Sequence, residues 1–419
     1  MYNLQKVCQD AKIASKSLIS LPHEVIVKAL NLSAKKLREN VAYLKSENAK
    51  DIALAKELGK SDSFIDRLLI NEKVVLSIAE GIEQVASLPN VVNKIEYEYK
   101  NEVQNITVEK RKVPFGLIGM IYEARPNVTA DAFALAFKTK NAIILKGGKE
   151  AINSNMALVK IIKSALTECG VDSGVISLIE DVSRETTLQF VKMDKYVDLI
   201  IPRGSQSLIN FAVKESTIPI IETGVGNCHI YIDESANVEM ATEVVFNAKT
   251  QRYSVCNACE SLVIHSKILK SVLPSIYNKL REKQVEMRVD ERAKAVLGEK
   301  RGVVNATAED FYTEYGDAII SVKTVDSLEE AINHINEHSS KHSESIITSD
   351  MVKAKEFQEK IDSSCVYVNA STRFSDGFVF GLGAEIGIST QKLHARGPMG
   401  LEALLTTKYF VKGEGSVRK

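Results

Sequence analysis

The sequence predicts an α/β protein with two doubly wound parallel-sheet domains and a small β arm. Three observations carry this. Apolar runs alternate with amphipathic helical stretches from Pro114 onward, a second series of the same kind begins near residue 261, and residues 93–113 break the pattern with a period close to two. Hydrophobic residues make up 45% of the 419 and charged residues 26%, a globular composition that buries large cores without disulfide or metal staples.

Residues 1–90 read as helices, because Val25, Ala29, Leu32, Leu37, Val41 and Leu44 recur at helical spacing with Lys and Glu between them. In 93–113, Ile95, Tyr97 and Tyr99 alternate with charges and Val103, Ile106 and Val108 follow, as in a half-exposed antiparallel ribbon. Then come strand GLIGMIY (116–122) and a helix to Lys138, strand AIILKGG (142–148) and a helix through Leu166, strand VISLI (175–179) and a helix near 184–193, and strand VDLIIPRG (197–204) and a helix near 205–215. Continuous apolar runs mark strands buried on both faces, and their alternation with helices implies right-handed parallel crossovers. The second series has strands SLVIHS (261–266), DAIISVKTV (317–325), SESIIT (343–348) and CVYVNA (365–370). No tandem repeat, low-complexity segment or coiled coil interrupts the chain.

Lys plus Arg is 54 and Asp plus Glu is 54, which argues against a nucleic-acid or anionic-membrane partner. No apolar run approaches the roughly 18–20 residues that span a bilayer. Lys6, Asp10, Lys12 and Lys16 break up the first 20 residues, so no signal peptide is expected. The six cysteines are scattered through a long chain, the pattern of reduced thiols in a cytoplasmic protein.

Four places merit attention for chemistry. Gly116, Gly119, Gly147-Gly148 and Arg203-Gly204-Ser205 sit in strands or at strand–helix turns, where a glycine admits phosphate to helix N–H groups or simply eases packing. None forms GxGxxG. Cys256, in QRYSVCNACE (251–260), lies between a helical stretch (237–251) and the strand at 261, with Arg252 near enough to favour a thiolate. Its bland reading is a small buried hydrophobe. Zinc at Cys256-x-x-Cys259 lacks a second ligand pair. His334, His338 and His342 have metal-like spacing, but Ser339-Ser340 ends the helix before His342. Asn127, between a strand and a helix, reads equally as an N-cap or as an amide donor facing a cleft.

Together these pieces resemble the aldehyde dehydrogenase superfamily, and within it the glutamate-5-semialdehyde dehydrogenase (γ-glutamyl phosphate reductase) family. The most specific piece is VDSLEEAINHINEHSSKHSESI (325–346), which is similar to that family's signature and displaces the metal reading. SVCN (254–257) resembles its nucleophile segment, and EARPNVT (123–129), ETGVGNCH (222–229) and LHARGPMGLEALLTTKY (393–409) resemble its other blocks. Glu222 and Cys256 also stand 34 residues apart, similar to the superfamily's spacing. The resemblance implies an aldehyde-dehydrogenase-like fold: a cofactor domain from 1–92 and 114–226, an oligomerisation arm from 93–113 with 403–419, and a catalytic domain at 227–402.

It also implies residue roles. Cys256 would be the nucleophile, and Asn127 would donate to the oxyanion together with the Cys256 N–H. Lys146 would contact the adenosine ribose or its phosphate, Gly204 and Ser205 the cofactor phosphates, and Glu314 the nicotinamide ribose. Glu222 matches the superfamily's general base, although water activation would waste an acyl phosphate. Arg125, Arg252 and Arg396 are candidates for the substrate's anionic groups, or else ordinary salt bridges. The reaction expected is NADPH-dependent reduction of L-glutamyl 5-phosphate to L-glutamate 5-semialdehyde and phosphate through a thioacyl cysteine, in proline biosynthesis. Rival readings are another aldehyde or acyl-phosphate dehydrogenase of this fold, or a scaffold that keeps it. A homo-oligomer of at least two chains is expected, its arm pairing with another subunit, with glutamate 5-kinase as a channelling partner.

Overall fold

A computed structural model of the chain describes residues 2–224 and 226–418; Met1, Val225 and Lys419, which the expected domain ranges include, lie outside the described residues. The chain divides into two compact units, Met1–Thr223 with Gly381–Gly387 and Met399–Lys419, and Gly224–Phe380 with Ile388–Pro398. The sequence reading ran the second domain on to 402. Two backbone bonds, Ile386 N–H to Met399 C=O (3.0 Å) and Met399 N–H to Gly387 C=O (2.8 Å), hold the two late segments of the first unit together.

The first unit opens with α1 (Leu4–Ser17), α2 (His23–Glu39), α3 (Val41–Glu57), α4 (Asp62–Leu68) and α5 (Glu72–Ser87). A hairpin of β1 (Ile95–Asn101) and β2 (Ile106–Pro114) follows. Then come β3 (Leu117–Tyr122), α6 (Asn127–Lys138), β4 (Ala142–Lys146), α7 (Ile152–Glu168), β5 (Ile176–Leu178), α8 (Arg184–Phe190), β6 (Leu199–Arg203) and α9 (Gln206–Glu215). The four strands from β3 to β6 are parallel in the order β5-β4-β3-β6. All of β3 and β4 is buried, as their unbroken apolar runs require. Strand order reverses between β3 and β6, and beyond the carboxyl ends of such a pair an open α/β sheet takes its ligands.

The second unit runs through β7 (Cys228–Ile232), α10 (Val238–Thr250), β8 (Cys259–His265), α11 (Ser266–Arg281), β9 (Glu286–Val289), α12 (Glu291–Leu297), β10 (Val303–Asn305), β11 (Ile319–Val325), α13 (Leu328–His338), β12 (Ser343–Ile347), α14 (Met351–Lys360) and β13 (Cys365–Val368). Its seven strands are all parallel, in the order β10-β9-β11-β8-β7-β12-β13. Three of them, β7, β9 and β10, escape the sequence pattern. The interior strand β7 (CHIYI) is broken up by Cys228 and His229, and β9 and β10 are too short to stand out. Ile264, Val272, Ile276, Met287 and Val322 are fully buried in one cluster beside the sheet, each worth about 1.5–3 kcal/mol of burial.

Two short strands, β14 (Ile388–Ser389) and β15 (Gly397–Pro398), pair antiparallel. Finally β16 (Leu405–Gly413) returns to the first unit and pairs antiparallel with β2 from Leu405↔Pro114 to Gly413↔Ile106. The expected two-stranded ribbon is thus a three-stranded sheet with β2 in the middle. Among the described residues no helix is long and apolar enough to cross a membrane.

Candidate active site

The second unit places Cys256 in the loop between α10 and β8, half-buried, while Asn257, Ala258 and Cys259 after it are buried. A buried ion pair fixes the two ends of this loop. Lys249, in the last turn of α10, donates to Glu260 on β8 at 2.6 Å, and both side chains are fully buried. Desolvation pushes the Glu260 carboxyl up to about 7 against the pull of the Lys249 ammonium. The other cysteines on the neighbouring strands are poor nucleophiles, since burial drives the thiols of Cys228 and Cys259 far above the ordinary range.

Behind the loop the chain comes unusually close. Gly226 packs against the Cys256 backbone so tightly that a Cβ on it would lie 1.4 Å from the Cys256 carbonyl oxygen. The Gly226 N–H donates to Glu314 (2.9 Å), and the Cys228 thiol donates to the Cys256 carbonyl (3.2 Å). Glu314, Gly226 and Cys256 therefore meet at one place. Gly226→Ala has nowhere to put its methyl except by pushing the cysteine loop away. The expected result is a loss of turnover of at least about tenfold with a stability cost of about 1–3 kcal/mol. Steady-state kinetics and chemical denaturation of this variant check it, and wild-type turnover would show that the loop position is not critical.

A second loop braces the first. Thr372 Oγ1 donates to the Asn257 carbonyl (2.7 Å), and Asn257 Nδ2 donates to the carbonyls of Ser375 (2.9 Å) and Arg373 (3.3 Å). This brings Arg373, which the sequence reading did not single out, alongside the nucleophile loop, where its Nε donates to Gln251 (2.9 Å). Of the two arginines proposed within this unit, Arg252 is exposed on the cysteine loop. Arg396 is bonded to Asp362 (2.8 Å), which Lys392 (3.0 Å) and Lys341 (3.4 Å) also approach, an ion-pair cluster of the ordinary kind.

In the first unit, Asn127 is the first residue of α6 and Pro126 its N-cap, so the capping reading fails. The exposed Asn127 amide instead donates to Asp131 (3.1 Å) one turn on, and desolvation pushes the Asp131 carboxyl up to about 6. Gly204 and Ser205 lie at the carboxyl end of β6, on the switch point. A Cβ on Gly204 would meet the Glu123 Cδ at 2.8 Å and the Leu208 Cδ2 at 2.9 Å, so any larger residue here would displace the Glu123 carboxylate. The Ser205 N–H (3.0 Å) and Oγ (2.7 Å) both donate to the Glu123 carboxylate, which stands at the start of α9 as an anion would. Lys146 ends β4, is 4% exposed, and has no carboxylate paired with it among the described residues. Burial lowers its pKa, opposed by Asp181. A desolvated cation and a helix start that accepts a carboxylate both suit the phosphates of a nicotinamide dinucleotide. Arg125 is exposed and Glu222 half-buried.

The histidines do not converge on one point. His334 and His338 stack at 4.1 Å between ring centroids, while the buried His342 faces the Ser343 hydroxyl (2.8 Å) and the Cys228 thiol (3.8 Å). Burial, with His229, His338 and Lys323 adding to it, pushes His334 down to about 2. The folded ring stays neutral, whereas the unfolded one takes up a proton below about pH 6.5. Below that pH the unfolded chain binds more protons, so stability falls by up to about 1.4 kcal/mol per pH unit as the pH drops. Urea midpoints at pH 7 and 5 should fall less steeply for His334→Gln than for wild type. Parallel lines for the two would remove this histidine as a cause.

The chain matches the aldehyde dehydrogenase family over residues 4–298 and 303–408. It is 50% identical over 419 residues to a γ-glutamyl phosphate reductase of Agathobacter rectalis, and 49% identical over 420 residues to one of Caldicellulosiruptor saccharolyticus, with 100% of each chain covered. The solved γ-glutamyl phosphate reductase of Thermotoga maritima superposes with a TM-score of 0.96 at 42% identity, covering 100% of both chains. An acetylating aldehyde dehydrogenase of Geobacillus thermoglucosidasius shares the fold at a TM-score of 0.70 and 17% identity, over 99% of this chain and 97% of that one. With this fold, a cysteine loop between α10 and β8, and matches that run its whole length, the chain belongs to the aldehyde dehydrogenase family.

Proposed function

We propose that the chain reduces L-glutamyl 5-phosphate to L-glutamate 5-semialdehyde and inorganic phosphate, a step of proline biosynthesis. The observation that carries this reading is 50% identity, end to end, with a γ-glutamyl phosphate reductase. Cys256 attacks the acyl carbon as the thiolate, the carbon–oxygen bond to phosphate breaks, and the departing phosphate takes up one proton. A reduced nicotinamide, when bound, supplies the hydride that reduces the thioester carbon. The hemithioacetal on Cys256 then collapses, freeing the aldehyde and returning the thiolate.

Asn127 as oxyanion donor, Glu222 as a residual base and Arg125, Arg252 and Arg396 as substrate contacts rest on the family resemblance. Lys146, Gly204, Ser205 and Glu314 are proposed to hold the cofactor. The buried charge of Lys146, with no carboxylate paired to it among the described residues, favours the form that carries the extra 2′-phosphate, NADPH. Exposed Tyr97, Tyr99, Tyr409 and Val411 on the outer strands of the three-stranded sheet support a homo-oligomer. Acyl phosphates hydrolyse readily, which supports direct transfer from glutamate 5-kinase. The absence of disulfides among the described cysteines supports a cytoplasmic setting.

The test is oxidation of glutamate-5-semialdehyde, assayed with and without phosphate, with NADP or NAD, beside a panel of simple aldehydes. Phosphate-dependent turnover confined to the semialdehyde is expected. Equal rates on simple aldehydes would assign a different substrate.

A further inference from the structure

Arg373 sits in an unusual position for a cation. It is half-buried, yet no carboxylate pairs with it among the described residues. Its backbone is fixed to the nucleophile loop, because Asn257 (5% exposed) bonds to the carbonyls of Arg373 and Ser375 and Thr372 (fully buried) bonds back to Asn257. Ser371 caps the turn, its Oγ accepting from the Arg373 N–H at 3.3 Å. The guanidinium spends Nε on Gln251, five residues before Cys256 in the same loop, which leaves its terminal N–H groups for another acceptor.

We infer that Arg373 holds the phosphoryl group of the acyl phosphate while Cys256 attacks the carbon beside it. The inference rests on the proposed reaction. Substrate chemistry selects the phosphate over the other anionic group: phosphorus stands two bonds from the carbon that Cys256 must reach, and the substrate's α-carboxylate carbon stands four bonds from it. A cation fixed to the nucleophile's own loop therefore meets the phosphate first. The planar fork of Arg suits a phosphate's paired oxygens. As the bond to carbon breaks, negative charge grows on the phosphate, and a cation already in place stabilises it without rearranging.

The electrostatics agree. Burial lowers the Arg373 pKa, and the strongest opposing influence is the Cys256 thiolate, ahead of Asp376 and Cys228, with Arg252 repelling. Beyond these, Glu314 stands behind Gly226. Arg373 thus also favours the thiolate of Cys256 before any substrate arrives.

The experiment compares wild type, Arg373→Met and Arg373→Lys in two measurements. In phosphate-dependent oxidation of glutamate-5-semialdehyde, Arg373→Met should raise the KM for inorganic phosphate about 10- to 100-fold, the effect of one or two lost charge-assisted hydrogen bonds. The KM for the semialdehyde should change less than about threefold, and Arg373→Lys should fall between, keeping the charge but losing the fork. Without substrates, the pH profile of Cys256 alkylation by iodoacetamide should shift upward in Arg373→Met and largely recover in Arg373→Lys. Unchanged phosphate KM in a folded Arg373→Met would overturn the assignment, as would a rise in semialdehyde KM alone, which would place the carboxylate there. Wild-type oxidation that needs no phosphate would overturn the reaction itself, a result the alkylation profile does not depend on.

Discussion

Cys256→Ala is expected to leave a folded protein without reductase activity. The side chain is half-buried in a loop, so its loss removes little packing. Removing a covalent nucleophile, by contrast, costs many orders of magnitude, about a millionfold in a well-studied serine enzyme. Cys259→Ala is the matched control. Cys259 is fully buried at the start of β8 and its thiol is held in the neutral form, so its replacement costs some packing and keeps most of the activity. Turnover and thermal unfolding measured together on both variants decide the matter. Substantial turnover by Cys256→Ala would remove the thioacyl mechanism, and equal losses in both would point to the strand and away from the thiol.

The second large effect is on stability. Lys249→Met leaves the fully buried Glu260 carboxylate without its cation. Breaking one side of such a pair costs about 3–5 kcal/mol, because an uncompensated charge remains inside. Gly316 N–H is the other group that bonds Glu260, at 3.3 Å, and it is too weak a partner to make up the loss. Lys249→Met with Glu260→Leu should recover much of the stability, since a buried pair replaced by apolar groups is often neutral. A double-variant cycle by chemical denaturation measures this directly. Should the single variant prove as stable as wild type, Glu260 must be protonated in the fold. Because the pair holds both ends of the cysteine loop, the single variant should also lose turnover, and the double variant should regain less activity than stability.

How much of this was readable in the sequence depended on whether a signal was local. Strands β3 (LIGMIY) and β4 (AIILK) announced themselves because each is buried on both faces and is a nearly continuous apolar run, while β8 and β12 were marked by the shorter apolar stretches LVI and II within them. Strand β7 is equally buried, but it opens on Cys228 and His229, and their bonds are tertiary: the Cys228 thiol bonds the Cys256 carbonyl and the backbone N–H of His229 bonds the Glu344 carboxylate. A window of sequence cannot see those bonds. Cys256 was legible because the residues around it carry a family's pattern. Arg373 was not, since it reaches the nucleophile through Asn257, 116 residues earlier in the chain. Gly226 was visible as one of two glycines in ETGVGNCH, while its closeness to the Cys256 carbonyl belongs to the folded backbone alone. Asn127 shows the opposite failure: its position before a helix suggested a cap, yet Pro126 takes that place and the Asn127 amide bonds Asp131 within the helix.

The late return of β16 has a consequence for how the chain is made. Strand β2 ends at Pro114, and its partner does not begin until Leu405. At about 5–20 residues per second on the ribosome, β2 waits roughly 15–60 s for that partner to be synthesised. Throughout this interval the hairpin of β1 and β2 carries an open edge with the peptide groups of Ile106–Pro114 unmatched on one side. Nascent chains on a crowded polysome present the same edge to one another, so the strand Leu405–Gly413 acts as the cap that ends this vulnerable period. A chain stopped short of Leu405 would keep the edge for good, and its first unit would be a candidate for trigger-factor-like or chaperonin assistance and, failing that, for proteolysis.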